Sequence, residues 1–218
     1  MAELKLEGVS YLYGADTPFA KKALSDVNLV LGANRTIGLI GHTGSGKSTL
    51  AQLLNGILKP SSGRVLLDGT DIFAQPKKIG SIRFRVGLVF QYPEYQLFEE
   101  TVEKDISFGP RNMGKSEEEI RSLVADAARF TGLSEKLMDR SPFELSGGQK
   151  RRVAIAGIIA MDPEILVLDE PAAGLDPAGK KEILDRLKAY QREREKTLIL
   201  ISHSMEDMAS YADEIVVM

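Results

Sequence analysis

The sequence predicts an α/β fold: a mixed sheet with an N-terminal antiparallel β subdomain, plus a helical subdomain. Three observations predict it. Short alternating runs between residues 4 and 31 are typical of antiparallel strands. Helix signals dominate from about residue 92 to 160. The runs Ile165–Leu168, Leu198–Ile201 and Ile215–Val217 are apolar on both faces, so they are typical of buried parallel strands.

The individual elements follow from local patterns. The best-marked helix begins at the capping box Ser116–Glu119, and Gly132 stands where its C-terminal cap belongs. The predicted strands before the helical part are Leu4–Val9, Val27–Leu31, Thr36–Ile40, Gly63–Leu67 and Val86–Phe90. The predicted helices are Ser48–Leu58, Ser116–Phe130, Val153–Met161, Pro177–Glu193 and Ser204–Tyr211.

Length and composition limit the classes of function that the chain can have. A chain of 218 residues can bury a substantial core, and we expect one domain over 1–218, with a core of 1–91 and 161–218 and a helical subdomain of about 92–160. The chain has no cysteine and two histidines, which argues against thiolate or histidine-rich metal centres. A net charge of -3 argues against a nucleic-acid partner. The longest apolar run, Val153–Met161, is far shorter than the roughly 20 residues of a membrane span.

A glycine-rich stretch, Gly41–Ser48, fits G-x-x-x-x-G-K-[ST] at every fixed position. It lies between a predicted strand and a predicted helix, the context in which this pattern binds phosphate. Glycines let backbone N–H groups point at the phosphates, Lys47 adds a positive charge near the β- and γ-phosphates, and the Ser48 hydroxyl can ligate Mg²⁺. The pattern predicts a P-loop NTPase core that binds a nucleoside triphosphate. Its candidate residues are Gly41, His42, Thr43, Gly44, Ser45, Gly46, Lys47, Ser48 and Thr49.

Two acidic residues follow the apolar run Ile165–Leu168, at the edge where open α/β sheets place their ligands. Asp169 is the expected partner of Mg²⁺. Glu170 is the better candidate for polarising an attacking water, because Pro171 is expected to hold its backbone extended. Two ordinary acids at a strand end are the alternative, and the phosphate loop in the same sheet favours the catalytic interpretation.

A third motif, Leu145–Gln149, which we call the signature segment, comes before Lys150–Arg152 and the apolar run Val153–Met161. Two glycines and a serine at a helix start form an anion-binding end. Because the chain already has a phosphate loop, this second γ-phosphate site suggests use in trans, across a dimer. The alternative is that Ser146 is a simple helix cap.

With these three motifs, the chain resembles the nucleotide-binding subunit of an ATP-binding cassette (ABC) transporter over essentially its whole length. The resemblance implies the ABC ATPase architecture, with ATP and Mg²⁺ and hydrolysis coupled to transmembrane transport. It implies that Tyr13 stacks on adenine, although a strand-end tyrosine is the alternative. It also implies that Gln91 contacts Mg²⁺ and senses the transport partner, and that His203 holds the γ-phosphate and the geometry of Glu170.

The remaining implied roles concern the dimer. The signature segment would contact the γ-phosphate of the opposite subunit, and Ala173–Asp176, which we call the connecting loop, would join the two sites. The implied contacts outside the phosphate loop include Ser146, Gly147, Gly148, Gln149 and Asp176. The implied catalytic residues are Lys47, Gln91, Glu170 and His203, and the implied metal ligands are Ser48, Gln91 and Asp169.

A narrower resemblance is to the ATPases of energy-coupling factor (ECF) transporters. It rests on Phe90–Val102 followed by Asp105–Pro110, while Pro171–Pro177 and Ser202–Asp207 look like the second of the two ATPase paralogues. The resemblance implies uptake of a vitamin or a transition-metal ion. It implies a second ABC ATPase (paralogue or self), a transmembrane coupling subunit and a substrate-binding membrane subunit as partners. The chain would then lie at the cytoplasmic face of the membrane, attached only through partners.

An aromatic cluster within that stretch leaves two interpretations open. Tyr92, Tyr95, Leu97 and Phe98 could line a groove for the partner's helices, or they could be core residues. The family usually continues into a further strand pair and a C-terminal dimer-contact region. We therefore expect this chain, which stops at Met218, to be a truncated version of a longer protein.

Other classes fit the sequence less well. The alternatives are an ATPase of another ABC transporter class and a non-transport ABC ATPase. A DNA-repair cassette would need a coiled-coil insertion, for which Gln91 to Leu145 is too short, and a translation factor would carry two cassettes and basic surfaces. A P-loop kinase would not explain the signature segment.

Overall fold

The structure is a computed structural model, and it describes residues 2–218. Its strands, in chain order, are β1 Leu4–Tyr13, β2 Lys21–Leu31, β3 Thr36–Ile40, β4 Ser62–Leu67, β5 Thr70–Asp71, β6 Val86–Val89, β7 Ile165–Asp169, β8 Thr197–Ile201 and β9 Glu214–Val217. Its α-helices are α1 Lys47–Leu54, α2 Ile79–Arg85, α3 Val102–Asn112, α4 Glu117–Thr131, α5 Gly147–Ile159, α6 Pro177–Glu193 and α7 Met205–Tyr211. Short 3₁₀ turns lie at Pro76–Lys78, Pro93–Gln96, Glu135–Leu137 and Pro142–Glu144.

The strands form two sheets, which confirms the α/β fold class. The antiparallel sheet has the order β2-β1-β4-β5, and the parallel sheet has the order β6-β7-β8-β3-β9. In the first sheet Leu4 lies opposite both Leu31 and Leu67. In the second, β7 is flanked on both sides by parallel neighbours. The loops that follow β3, β6, β7 and β8 therefore meet at one edge of the parallel sheet, where the candidate residues lie.

The central strands of the parallel sheet are buried on both faces, as the apolar runs predict. In β7, Ile165 and Val167 pack with α1 and the antiparallel sheet, whereas Leu166 and Leu168 pack with α4, α5 and α6. Successive side chains of a strand point to opposite faces, so a run without polar residues serves two cores at once. The parallel sheet is thus covered on one face by the antiparallel sheet and α1 and on the other by the later helices.

Several predicted boundaries and one predicted burial are wrong. β1 and β2 are longer than predicted, and the helix predicted over Val153–Met161 runs over Gly147–Ile159. The helix predicted over Ser48–Leu58 ends at Leu54, because Asn55 caps it and donates its side-chain amide to the Val86 carbonyl. The strand predicted over Val86–Phe90 ends one residue earlier, at Val89. The run Ile215–Val217 forms a parallel strand, but its side chains are not buried, because β9 has a neighbour on one side only.

The helices between residues 93 and 160 form a layer of their own, in which α3, α4 and α5 pack on one another and α4 also contacts α6. The capping box predicted at the start of α4 is present, and Gly132 caps its other end in the left-handed conformation. The division into a core and a helical subdomain at the stated boundaries stays a prediction. Within residues 2–218, the helices lack the combined length and apolarity that crossing a lipid bilayer requires.

Candidate active site

The glycine-rich stretch forms the turn between β3 and α1. Gly46 immediately precedes α1 with φ of 101°, and a Cβ there would lie 2.7 Å from the Ala23 carbonyl oxygen. Gly44 also has a positive φ, of 84°. Both positions therefore require glycine. No side chain caps α1, so the backbone N–H groups at its start are left for a ligand, at the positive end of the helix dipole.

Lys47 lies over this turn. Its Nζ donates to the carbonyl oxygens of Gly41 (2.8 Å) and His42 (3.0 Å) and lies 3.4 Å from the Ser45 hydroxyl. The ammonium group is therefore held at the mouth of the loop by neutral acceptors. Because neutral acceptors do not cancel its charge, the ammonium can turn toward a phosphate.

The loop opens into a cavity of about 330 Å³. Tyr13 lines this cavity and is half-exposed. Its hydroxyl lies 3.2 Å from the Thr49 hydroxyl, and its ring forms a T-shaped pair with Tyr11. The cavity is lined by Tyr13, Lys21, Lys22, Ala23, Thr43, Gly44, Gly46, Lys47, Ser48, Thr49, Gln91, Asp169 and Glu170. A strand, the phosphate loop and the acidic strand end thus meet in one cavity.

Three of the lining residues, Lys21, Lys22 and Ala23, were missed from the sequence. They start β2, and the antiparallel register places Lys21 opposite Tyr13. In the sequence, the pair Lys21–Lys22 shortly after Tyr13 was the one feature that could have indicated an anion-binding role for this segment. They add positive charge where an anionic ligand would enter.

Asp169 is the last residue of β7 and is buried. Burial raises the pKa of its carboxyl group, the neighbouring Ser48 side chain opposes that rise, and the nearby Glu170 charge adds to it. Asp169 and Ser48 therefore present two oxygen ligands side by side. With the Gln91 amide oxygen, they form a donor set of the kind that Mg²⁺ prefers.

Glu170 is held between two polar side chains. Its Oε1 lies 3.0 Å from Nδ1 of His203, and its Oε2 accepts a long hydrogen bond (3.5 Å) from Nε2 of Gln91. The backbone differs from the prediction. Glu170 has φ of 50°, in the left-handed region, so the expected extended conformation before Pro171 is wrong.

The unusual backbone of Glu170 is held by one hydrogen bond to a distant strand and one within a turn. Its N–H still donates to the Ile201 carbonyl (3.0 Å), while its own carbonyl accepts from Ala173 N–H (3.1 Å) and closes a turn. A side-chain-bearing residue in this region costs on the order of 1–3 kcal/mol. Such strain is found at functional sites, and here the residue that carries it has its carboxylate within hydrogen-bond distance of Gln91 and His203.

A second cavity of about 330 Å³ lies behind Glu170, and its lining includes Tyr92, the start of the connecting loop and Asp207. The connecting loop ends at Asp176, which caps α6 by accepting from Gly179 N–H (3.2 Å). Glu170 and His203 line this second cavity, and Glu170 lines both. The catalytic candidate therefore lies between the phosphate loop and the connecting loop.

The signature segment is separate from both cavities, and no residue of Ser146–Gln149 lines either one. Ser146 caps α5 through a capping box: its hydroxyl accepts from Gln149 N–H (3.3 Å), and its own N–H donates to Gln149 Oε1 (3.0 Å). Ser146 and Gly147 are exposed. The structure thus brings together Thr43, Gly44, Gly46–Thr49, Gln91, Asp169 and Glu170 in one cavity, with His203 bonded to Glu170. Gly41, His42 and Ser45 do not line that cavity, and Ser146 and Gly147 of the signature segment are exposed apart from it.

Taken together, the parallel sheet, the phosphate loop and the acidic strand end define a P-loop nucleotide-binding protein. The family described as ABC transporter matches residues 24–173. The energy-coupling factor transporter ATP-binding protein EcfA2 of Clostridium tetani is 58% identical over 216 residues, which are 99% of this chain and 75% of that protein. The protein of the same name from Clostridium acetobutylicum is also 58% identical, with 99% of this chain and 76% of that protein covered.

Solved structures agree in fold. Clostridium perfringens cbiO1, described as part of the ABC transporter complex cbiONQ, is 44% identical with a TM-score of 0.88, covering 99% of this chain and 84% of that one. The ATP-binding cassette MJ0796, solved as a dimer in a post-hydrolysis state bound to ADP and Pi, is 28% identical with a TM-score of 0.88, covering 99% and 94%. The chain belongs to the ABC transporter family and, within it, to the energy-coupling factor transporter ATP-binding proteins. It is an ATPase of that family.

Proposed function

We propose that this ATPase drives uptake of a vitamin or a transition-metal ion through a membrane coupling subunit, which it joins at the cytoplasmic face of the membrane. The observation that carries the catalytic part is the Glu170 carboxylate, held between Gln91 and His203 at the rim of the phosphate-loop cavity. A carboxylate fixed there can orient and polarise a water molecule toward the γ-phosphate of ATP.

The phosphate end of the site is assigned from its donors. Backbone N–H groups of the loop and the Lys47 ammonium would bind the β- and γ-phosphates, and Tyr13 would stack on the base. Ser48, Asp169 and Gln91 would hold Mg²⁺, because their oxygen atoms suit a hard cation. Bound there, Mg²⁺ would neutralise phosphate charge.

The second half of the site would come from another ATPase chain, either a copy of this one or a paralogue. Its support is the exposed start of α5, where Ser146 and Gly147 face outward and line neither cavity of their own chain. An exposed helix N-terminus with glycines can approach an anion closely. ATP would then sit between two chains, with Asp176 near the junction, and hydrolysis would let them separate.

The contact with the membrane subunits would involve three exposed aromatic side chains that follow Gln91, which we call the aromatic face: Tyr92, Tyr95 and Phe98. Their exposed fractions are 47%, 85% and 57%. Leu97, in contrast, is buried in the core. Exposed aromatic clusters of this kind mark interaction sites. Helices of a coupling subunit docked there would act on the neighbouring Gln91.

Reconstitution in liposomes tests this proposal. The full-length protein, assembled with its membrane subunits and second ATPase, should hydrolyse ATP and take up labelled substrate. Glu170→Gln should retain ATP binding but lower both activities at least about a hundredfold, because the neutral amide cannot polarise the water. Glu206→Gln, an exposed acid on α7, is the matched control and should leave both activities near wild type. Near-normal turnover of Glu170→Gln would move the catalytic role elsewhere.

A further inference from the structure

A nearly buried arginine has no part in the roles assigned so far. Arg151 is the fifth residue of α5, five positions after Ser146, and only 4% of it is exposed. Charged side chains are rarely this buried unless they are paired. Its partners therefore indicate why the charge is there.

The Arg151 guanidinium group bonds to two different loops. Its Nε and Nη2 donate to the two carboxylate oxygens of Glu94, at 3.2 and 2.9 Å. Its Nη1 donates to the backbone carbonyl of Ala173. The planar fork of an arginine can hold a carboxylate with two bonds and a further acceptor with a third, which the single ammonium of a lysine cannot do with the same geometry.

These contacts join three parts of the proposed site. Glu94 lies in the 3₁₀ turn Pro93–Gln96, between the exposed rings of Tyr92 and Tyr95. Ala173 begins the connecting loop, and its N–H is bonded to the Glu170 carbonyl. Arg151 itself is fixed in the helix that begins at the signature segment. One side chain of α5, the helix that begins at the signature segment, therefore bonds both the turn beside the aromatic face and the connecting loop.

Stability alone gives a weak reason for this arrangement. A buried ion pair often contributes no more stability than a well-packed apolar pair of similar volume, because desolvation offsets the attraction. What the fork adds is geometry: it fixes two loops and a helix relative to one another. A movement of Glu94 would therefore be passed to Arg151 and from there to Ala173.

We propose that Arg151 is a positioning residue that couples the aromatic face to the connecting loop and to the signature helix. A partner that displaces the turn at Glu94 would shift the Ala173 carbonyl, three residues from Glu170, and the start of α5. The identity of the displacing partner rests on the proposed function. The link between the three segments rests only on the contacts of Arg151.

Amide hydrogen exchange on the full-length chain without nucleotide tests the link by itself. In residues 2–218, the hydrogen bonds of the Glu94 side chain reach the connecting loop only by way of Arg151. We expect Glu94→Gln, and Arg151→Lys, to speed exchange of the Ala173 and Leu175 amides about fivefold or more, with β7 and β8 unchanged. Unchanged exchange at these amides, or an equal increase throughout the chain, would overturn the proposal.

The matched control is Arg85→Lys, at the opposite edge of the same sheet. Arg85 precedes β6 and bonds both carboxylate oxygens of Glu164, which precedes β7, and also Asp68 (2.5 Å). Arg151 joins the segments that follow β6 and β7, whereas Arg85 joins the segments that precede them. Replacing Arg85 by lysine therefore removes a two-bond arginine–carboxylate pair at the opposite ends of the same two strands. It should leave the Ala173 and Leu175 amides unchanged, so an equal response to both variants would count against a specific link.

The assembled transporter supplies the second readout. Arg151→Lys should lower kcat for ATP about tenfold while KM for ATP stays within about twofold, because the phosphate loop of its own chain is intact. If the wild-type complex is active and Arg151→Lys leaves kcat unchanged, the proposal for Arg151 is overturned and the proposed function is not. An inactive wild-type complex would count against the proposed function, and the exchange result would still decide on the link.

Discussion

Two helices of this protein have glycine and serine residues at their starts: Gly46 and Ser48 at α1, and Ser146 and Gly147 at α5. The two helix starts differ in how they are capped and in what they face. At α1 no side chain caps the helix, Lys47 lies over the turn, and the backbone N–H groups face a cavity. At α5 the serine and glutamine cap one another, and the helix start is exposed. The start of α1 lines a cavity together with neighbouring loops of its own chain. The start of α5 lines neither of the two cavities described above, which is the arrangement expected if its ligand is carried by another chain.

The largest effects should separate these two helix starts. Lys47→Ala removes the charge nearest the phosphates, so we expect ATP affinity of the chain alone to fall by about 1.5–3 kcal/mol, the range for hydrogen bonds to charged groups. Ser146→Arg should leave that affinity unchanged but lower hydrolysis in the assembled complex at least about a hundredfold, as for loss of a transition-state donor. Calorimetry on the chain and turnover of the complex measure the two effects. A loss of ATP binding by the isolated Ser146→Arg chain would place both helices in one site.

A smaller effect is expected at the base. If Tyr13 stacks on adenine, Tyr13→Ala should weaken ATP binding by about 1–3 kcal/mol, the range of a base–aromatic stack. Phe19→Ala is the control, because Phe19 is 88% exposed and lies outside the lining of the cavity. If calorimetry finds the same ATP affinity for Tyr13→Ala and wild type, Tyr13 does not stack on adenine. A lower ATP affinity for Phe19→Ala would assign the stacking role to Phe19.

The smallest effect compares two matched capping boxes. Ser116 with Glu119 caps α4, and Ser146 with Gln149 caps α5, through the same pair of hydrogen bonds. Ser116→Ala and Ser146→Ala should each cost about 0.5–2 kcal/mol in the free energy of unfolding. Only Ser146→Ala should also lower ATP hydrolysis by the complex. If the two variant complexes hydrolyse ATP at equal rates, Ser146 acts only as a helix cap.

Sequence patterns were reliable where one local rule decides the outcome. The central parallel strands are apolar on both faces because they serve two cores, and the box at Ser116 forms through contacts within four residues. The phosphate loop is similar, since strand, glycines and helix are adjacent in the chain. Such features need no information about distant parts of the molecule.

Features that depend on tertiary contacts could not be predicted from local sequence patterns. α1 stops at Leu54 because Asn55 bonds to a carbonyl 31 positions away. Lys21 enters the cavity through its register with Tyr13 across the antiparallel sheet. The left-handed backbone of Glu170 is imposed by β8 and by the turn to Ala173, and these outweigh the local preference before proline. Arg151 and Glu94 are 57 positions apart, and no local sequence pattern predicts that their side chains meet.

The central claim is that each catalytic site combines the phosphate loop of one chain with the signature segment of another. ATP hydrolysis by assembled complexes with one mutation in each chain tests it most directly. Lys47→Ala here, with the signature serine blocked in the partner ATPase, damages a single composite site and leaves the other intact. Lys47→Ala here, with the matching lysine removed in the partner, damages both. At equal complex yield, we predict clearly higher ATPase activity for the first combination than for the second. A chain that stays monomeric with ATP bound and hydrolyses it as fast as the complex would contradict the shared-site account.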